Sequence, residues 1–230
     1  FGLCIQTEEG WHITNMGAIL FAKNIAEFEG LKSHSVIVRK YAGSNNRDLL
    51  SEQIGGLGYV VGFEGLVDYI MKLTSVEEIG VVRKMIPAYP QIAIREFVAN
   101  ALIHQDFSVS GTGPTVEIFA NRIEVTNSGI PLVDVKRIID NPPKSRNEKL
   151  ASMMRRLRMC EELGTGWDKI VISCELQMLP APKIDLYEEN TKVTLYAEMP
   201  FTSLSAEDKL WACYLHACVK QGENEQLTNT

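Results

Sequence analysis

The 230-residue sequence is first informative through what it lacks. No stretch reaches the roughly 18 consecutive apolar residues that a membrane-crossing helix needs, and no charged-then-apolar leader opens the chain. The chain therefore reads as cytoplasmic, with no membrane partner. Its five cysteines (Cys4, Cys160, Cys174, Cys213, Cys218) form no CxxC pair and are odd in number, which favours reduced thiols over a disulfide framework. With the four histidines scattered as well, no zinc-site spacing exists. The GxxxxGK[ST] phosphate loop is absent. Positive charge is also scarce. Lys and Arg number 23 against 29 Asp and Glu, a net charge of −6 with a pI near 5.3. Phosphate backbones are gripped by Lys and Arg, so this chain is not expected to be the main grip on nucleic acid. No internal repeat or low-complexity run is present. The opening "FGLCIQ", without methionine, and the closing "ENEQLTNT" suggest part of a longer protein.

What is present is a 45% hydrophobic, 23% charged composition of ordinary globular type. Linker-like segments at Pro87 to Pro90 and Pro200 to Ser205 predict boundaries, giving regions 1–86, 87–200 and 201–230. The first region has a strand around Trp11 to Ile13, a helix capped by Thr14 or Asn15 and a strand in "HSVIVRKYAG". It then has a helix with a glycine-broken start in "NNRDLLSEQIGGLGYVVGFEGLVDYIMKLTS". "VVRKMIPAYP" reads as extended, because proline turns its predecessor away from helix. In the middle region two hairpins are expected. One turns at Ala120-Asn121 between Val116/Ile118 and Ile123/Val125; the other has Glu189-Asn190 near its tip. A short helix is expected in "PLVDVKRII", another capped by Ser145 or Asn147, and a third after Gly164-Thr165-Gly166. Helices on one face of a sheet make this an α+β, two-layer α/β sandwich. The last helix, "SAEDKLWACYLHACVKQ", has Ser205 as cap and Glu207 and Asp208 in its first turn.

The segment "IREFVANALIHQDFS" is a helix apolar nearly all round, through Ile94, Phe97, Val98, Ala99, Ala101, Leu102 and Ile103. Such a helix is buried. It nevertheless carries Glu96, Asn100 and His104 at four-residue intervals, one ridge of the helix. A buried polar ridge is costly unless it meets partners, water, a metal or a ligand. Two other elements suit a ligand. Asn127 and Gly129 in "VTNSGIP" offer an amide and close backbone approach. Glycines ahead of a helix in "EELGTGWDKI" leave backbone N–H groups open to phosphate. Plainer roles stand beside each: a hydrogen bond to the sheet for Asn100, capping for His104, the helix exit for Asp106, turns for both glycine stretches. The cluster Lys144, Arg146, Lys149, Arg155, Arg156 and Arg158 reads either as a solvated face or as a phosphate contact, with Arg146 nearest the expected pocket.

Carboxylate-xxx-Asn on a helix, then Asn-x-Gly after a strand, then Gly-Thr-Gly opening a helix, resembles the GHKL (Bergerat) ATP-binding fold. More specifically, "TNMGAILFAKN", "YPQIAIREFVANALIHQDFS", "EIFANRIEVTNSGIP", "SRNEKLASMMRRL" and "EELGTGWDKI" are similar, in that order from about Gly10 to Met199, to the C-terminal part of bacterial Schlafen/AlbA-type transcriptional regulators. These are often labelled RecG-like and helicase-related. The resemblance implies ATP and Mg²⁺ as cofactors. Asn100 would be the metal ligand, and Glu96 the catalytic carboxylate orienting water. Asn127, Gly129, Arg146, Gly164, Thr165 and Gly166 would contact nucleotide. It also implies a preceding AlbA-like DNA-binding domain, a winged helix whose first helix is Ser205 to Gln221, and DNA bound through parts outside this chain. A role in nucleotide sensing or homo-oligomerisation follows from the same likeness; a DNA-linked ATPase is the alternative. Two departures stand out. Asn127 occupies the position where active members carry the aspartate that accepts from adenine, and "NSGIP" is shorter than usual.

Overall fold

The computed structural model describes residues 2–78, 84–109, 111, 113–160 and 164–228. An N-terminal hairpin, β1 (Cys4–Thr7) and β2 (Gly10–Ile13), leads into α1 (Asn15–Phe21). Thr14 caps α1 by accepting from the Gly17 amide at 3.1 Å, as expected. There follow β3 (Ile37–Tyr41), β4 (Leu49–Ile54), α2 (Tyr59–Thr74), and a small hairpin of β5 (Ser75–Glu78) and β6 (Lys84–Pro87). The long apolar helix is α3 (Gln91–His104). The remainder comprises β7 (Thr115–Ile118), β8 (Arg122–Ser128), α4 (Glu148–Arg156), α5 (Gly166–Leu176), β9 (Lys183–Tyr187), β10 (Asn190–Tyr196) and α6 (Ala206–Thr228).

Six strands form one mixed sheet in the order β4-β3-β7-β8-β10-β9, in which only β3 and β7 run parallel. Register explains the two layers. Val38, Val116, Val125 and Val193 stand opposite one another across four strands, and so do Ile118, Ile123 and Leu195. These rows enter one continuous hydrophobic core with α1, α2, α3, α4 and α5. Alternate residues face away from the helices, as a strand's two-residue period demands. There Glu124 accepts from Arg122 Nε at 2.6 Å and from Lys192 Nζ at 3.2 Å, and Tyr41 donates to Glu117 at 3.0 Å. The architecture is thus the expected α+β sandwich of one sheet layer and one helix layer.

Two local expectations are corrected, and one strand was not foreseen in the sequence. Within "NNRDLLSEQI", Leu49–Ile54 form a strand, β4, paired with β3 through a bulge at Lys40/Tyr41, and the helix after the glycine-broken start runs from Tyr59. As an exposed edge strand β4 lacks the apolar alternation that marks a half-buried one. "PLVDVKRII" forms only a three-residue 3-10 turn at Val135–Arg137. Asn147 holds the N-cap position of α4 without a side-chain cap bond. Its amide donates instead to the carbonyls of Ile103 and Gln105, both at 2.8 Å, tying α4 to the end of α3. In "VVRKMIPAYP" the first three residues lie outside the described residues.

Candidate functional site

Helix α3 runs across the sheet against β8 and also touches α2, α4 and α5. Nine of its fourteen residues are buried, Glu96 among them at 4% exposure. Along the polar ridge Glu96 is buried, while Asn100 and His104 are partly buried. The ridge borders a cavity of about 190 Å³ whose walls include Glu96, Asn100, His104, Asn127, Gly129, Gly164 and Gly166. Three stretches far apart in sequence therefore converge on one hollow. Its apolar walls come from α3 (Phe97, Ile103), the sheet (Val125, Ile184, Val193), the loop after β8 (Leu132, Val133) and Trp167 of α5. Phe97 and Trp167 meet at 5.8 Å between ring centroids.

Asn100 occupies the middle of α3, where an amide has no backbone group to cap. None of the described residues forms a hydrogen bond with its side chain, and among the described residues every fully buried polar side-chain atom has a partner. The amide is therefore open to whatever enters the cavity. Glu96 lies one turn earlier. A Cβ added to Gly166 would come within 2.8 Å of Glu96 Oε2, so the start of α5 lies directly against this carboxylate.

Asn127 continues the inward row of β8, two residues beyond Val125, and stands opposite Thr191 of β10. It is 7% exposed. Its amide nitrogen donates to the Ser128 carbonyl at 2.7 Å, which leaves Oδ1 as the amide's unengaged acceptor among the described residues. Gly129, at φ +97°, turns the chain out of the sheet. Its N–H donates to Glu189 O and its carbonyl accepts from Thr191 Oγ1, both at 2.6 Å. Across from it, the Asp106 amide donates to Ser128 O at 3.0 Å, and Ser128 Oγ donates to Asp106 O at 3.1 Å. The exit of α3 and the end of β8 are thereby one hydrogen-bonded unit. Asp106 does organise that exit: its carboxylate accepts from the Ser108 amide at 2.9 Å and from the Ser108 hydroxyl at 2.5 Å. Those bonds, with Arg146 nearby, hold its carboxyl below the usual range.

Arg146 does not line the cavity. Its guanidinium pairs with Asp106 at 3.2 Å and donates to Ile130 O at 3.1 Å, bracing the loop after β8 against α3. Thr165 takes the N-cap position of α5 without a side-chain cap and also stays out of the lining, between the two glycines that reach it. Gly164, at φ +91°, has the left-handed backbone that suits glycine. The acidic pair before it, with Leu163, lies outside the described residues.

Several wall residues have no motif to betray them. Lys144, Arg155 and Cys160 line the cavity from α4 and its flanks, and Thr191 does so from β10. His104 lines it too; burial pushes its imidazole pKa down, and the charges of Arg146 and Arg155 add to the effect. Gln105 turns away into a buried polar cluster: its amide donates to Tyr59 Oη at 2.8 Å and to Leu102 O at 2.9 Å, and pairs with His34 at 3.1 Å. Of the charged side chains in the lining, two are cationic (Lys144, Arg155) and one acidic (Glu96), a balance that suits an anionic guest. Among the described residues no three His, Cys, Asp or Glu side chains cluster as a metal-binding group.

No curated protein matches the chain significantly. The fold matches the crystal structure of the DIP2311 protein from Corynebacterium diphtheriae, with a TM-score of 0.64 at 19% sequence identity, over 85% of this chain and 39% of that one. The chain therefore spans well under half the length of that protein, and likeness at this identity shows the fold alone. Residues 111–195 match the family described as "Putative ATP-dependent DNA helicase recG C-terminal". Asn127, Gly129, Arg146 and the Gly164-Thr165-Gly166 turn fall within that match, while Glu96 and Asn100 precede it in α3. From β7 to β10 the chain is thus similar to an ATPase-type, RecG-like region.

Proposed function

We propose that the cavity between α3, the end of β8 and the start of α5 is a nucleotide site of GHKL type, taking ATP with Mg²⁺. The observation that carries this reading is the open amide of Asn100, mid-helix and unmet, facing the same hollow as Glu96, Asn127 and two glycine turns. An amide oxygen is a suitable hard ligand, and Mg²⁺ ordinarily keeps several waters and takes phosphate oxygens besides one or two protein groups. Asn100 fits as that group. A bound Mg²⁺ would neutralise phosphate charge. The Asn127 carbonyl, its own N–H₂ already engaged with Ser128, would accept from a base amino group, and the apolar walls would hold the base. Backbone around Gly164 and Gly166 would approach phosphate, with Thr165 between them and Arg146 bracing the neighbouring loop.

On this reading the chain is the nucleotide-sensing or dimerising part of a DNA-binding transcription regulator, organised as regions 1–86, 87–200 and 201–230, with α6 as the first helix of a winged helix and DNA contacted by other domains. A second reading, a DNA-linked ATPase, is favoured by one feature: the Glu96 carboxylate lines the cavity one turn from Asn100, where it could orient water. Calorimetry with ATP and Mg²⁺, run beside a phosphate-release assay, separates them. Binding without turnover, abolished in Asn100→Ala, is the expected result. Turnover that Glu96→Ala removes while binding survives selects the ATPase. Absence of binding by the folded wild type overturns both.

A further inference from the structure

Helix α4 is held on the core by Leu150, Ala151, Met153 and Met154, all buried. Arg155 follows in its last turn, half-buried, and lines the cavity. Lys144, in the loop before α4, lines it as well. Other cations near α3 have acidic partners: Arg95 pairs with Glu64 at 2.6 Å and Arg146 with Asp106 at 3.2 Å. Arg155 and Lys144 have none among the described residues. The one carboxylate in the wall, Glu96, belongs to another helix and stands against Gly166. A cation drawn partly out of water without a counter-charge costs free energy unless an anion joins it. Basic residues in a last turn do favour the helix dipole, yet Arg156, exposed and outside the lining, supplies that interaction equally well. The dipole does not explain why Arg155 meets the cavity.

We infer that Arg155, assisted by Lys144, is the anion-binding element of this site, contacting the phosphate chain of the nucleotide and making affinity depend on the number of phosphates. The inference rests on the nucleotide reading and deepens it. Guanidinium suits the role because its planar donors match phosphate oxygens two at a time. His104 feels the same charge, since Arg155 contributes to keeping its imidazole neutral.

The test is a calorimetric series of adenosine, AMP, ADP and ATP, each with Mg²⁺, against wild type, Arg155→Ala, Arg155→Lys, Lys144→Ala and Arg156→Ala, all checked for an unchanged melting curve. Wild-type affinity should climb with each added phosphate. In Arg155→Ala the ATP affinity should fall by roughly 10- to 100-fold, the range of one lost charge-assisted contact, while adenosine affinity stays put. Arg155→Lys should recover part of the loss, Lys144→Ala should show a smaller one, and Arg156→Ala none. Unchanged ATP affinity in Arg155→Ala, or equal losses for adenosine and ATP, overturns this inference and leaves the nucleotide reading standing. Failure of folded wild type to bind any member of the series overturns both.

Discussion

Replacing Gly129 by alanine should destabilise the protein more than the same change at Gly30, another glycine of positive φ. The backbone there has φ +97°, a region in which an L-residue costs about 1–2 kcal/mol. The new Cβ would also stand 3.1 Å from the Asp106 amide nitrogen, 3.2 Å from Asp106 Cβ and 3.2 Å from the His104 carbonyl. These atoms cannot swing aside, because the Asp106 amide and carbonyl are bonded to Ser128, and Gly129 itself is fixed through Glu189 and Thr191. Overpacking of this kind costs roughly 1–3 kcal/mol more. Together the terms reach about 2–5 kcal/mol, less up to ~1 kcal/mol from a stiffer unfolded chain. That is a large share of the ~5–15 kcal/mol typical of a folded domain. Gly30 is the control: φ is +78°, and nothing lies within 4 Å of its added Cβ. Gly30→Ala carries the backbone term alone. Urea unfolding of both variants, with matched slopes, measures the difference. If Gly129→Ala proves no less stable than Gly30→Ala, the tight junction of α3 and β8 is not as described.

Gly166→Ala should be neutral or stabilising by helix propensity alone, yet is expected to lower stability because its Cβ would press on Glu96 Oε2; a double-mutant cycle with Glu96→Ala should remove the penalty, and additive effects would contradict the contact. His34 is 3% exposed, and burial lowers its pKa although Gln105 partly opposes the shift. An imidazole with a lowered folded pKa binds fewer protons folded than unfolded, so stability should be complete above about pH 6.5 and fall as pH drops below that value; His34→Gln should flatten the slope between pH 7 and 5, and an unchanged slope would contradict it. Trp211 donates to Pro182 O at 2.8 Å and stacks on Tyr214 at 5.6 Å. Trp211→Ala should loosen α6 from β9 by about 2 kcal/mol, half a full core truncation, seen as faster amide exchange in α6 with the α3 amides unaffected.

The sequence made α3 and its ridge legible because two periods coincide there: an apolar pattern too wide for a surface helix, and polar residues at every fourth position. The hairpin β7–β8 was legible from alternation, and the register then carries Asn127 inward two residues past Val125. Strand β4 was not legible, since exposed edge residues need no alternation. Nor was the parallel pairing of β3 with β7, which extends one sheet across the linker-like stretch near residue 87; long-range pairing leaves no local trace. Arg146 and Arg155 show the limit at the site. Both stand in one basic cluster, and the place of Arg146 in "KSRN" marked it as nearest the pocket. Three-dimensional placement instead binds Arg146 to Asp106 and leaves Arg155 on the wall. Asn147 likewise looked like a cap and proved to be a strut between helices.

The most direct measurement is a crystal structure grown with Mg²⁺ and a non-hydrolysable ATP analogue. Nucleotide density is expected in the α3–β8–α5 hollow, with the metal about 2.0–2.1 Å from the amide oxygen of Asn100 and the base beside Asn127. A hollow holding only solvent at saturating analogue, or an analogue seated elsewhere with the Asn100 amide turned to the protein, would contradict it.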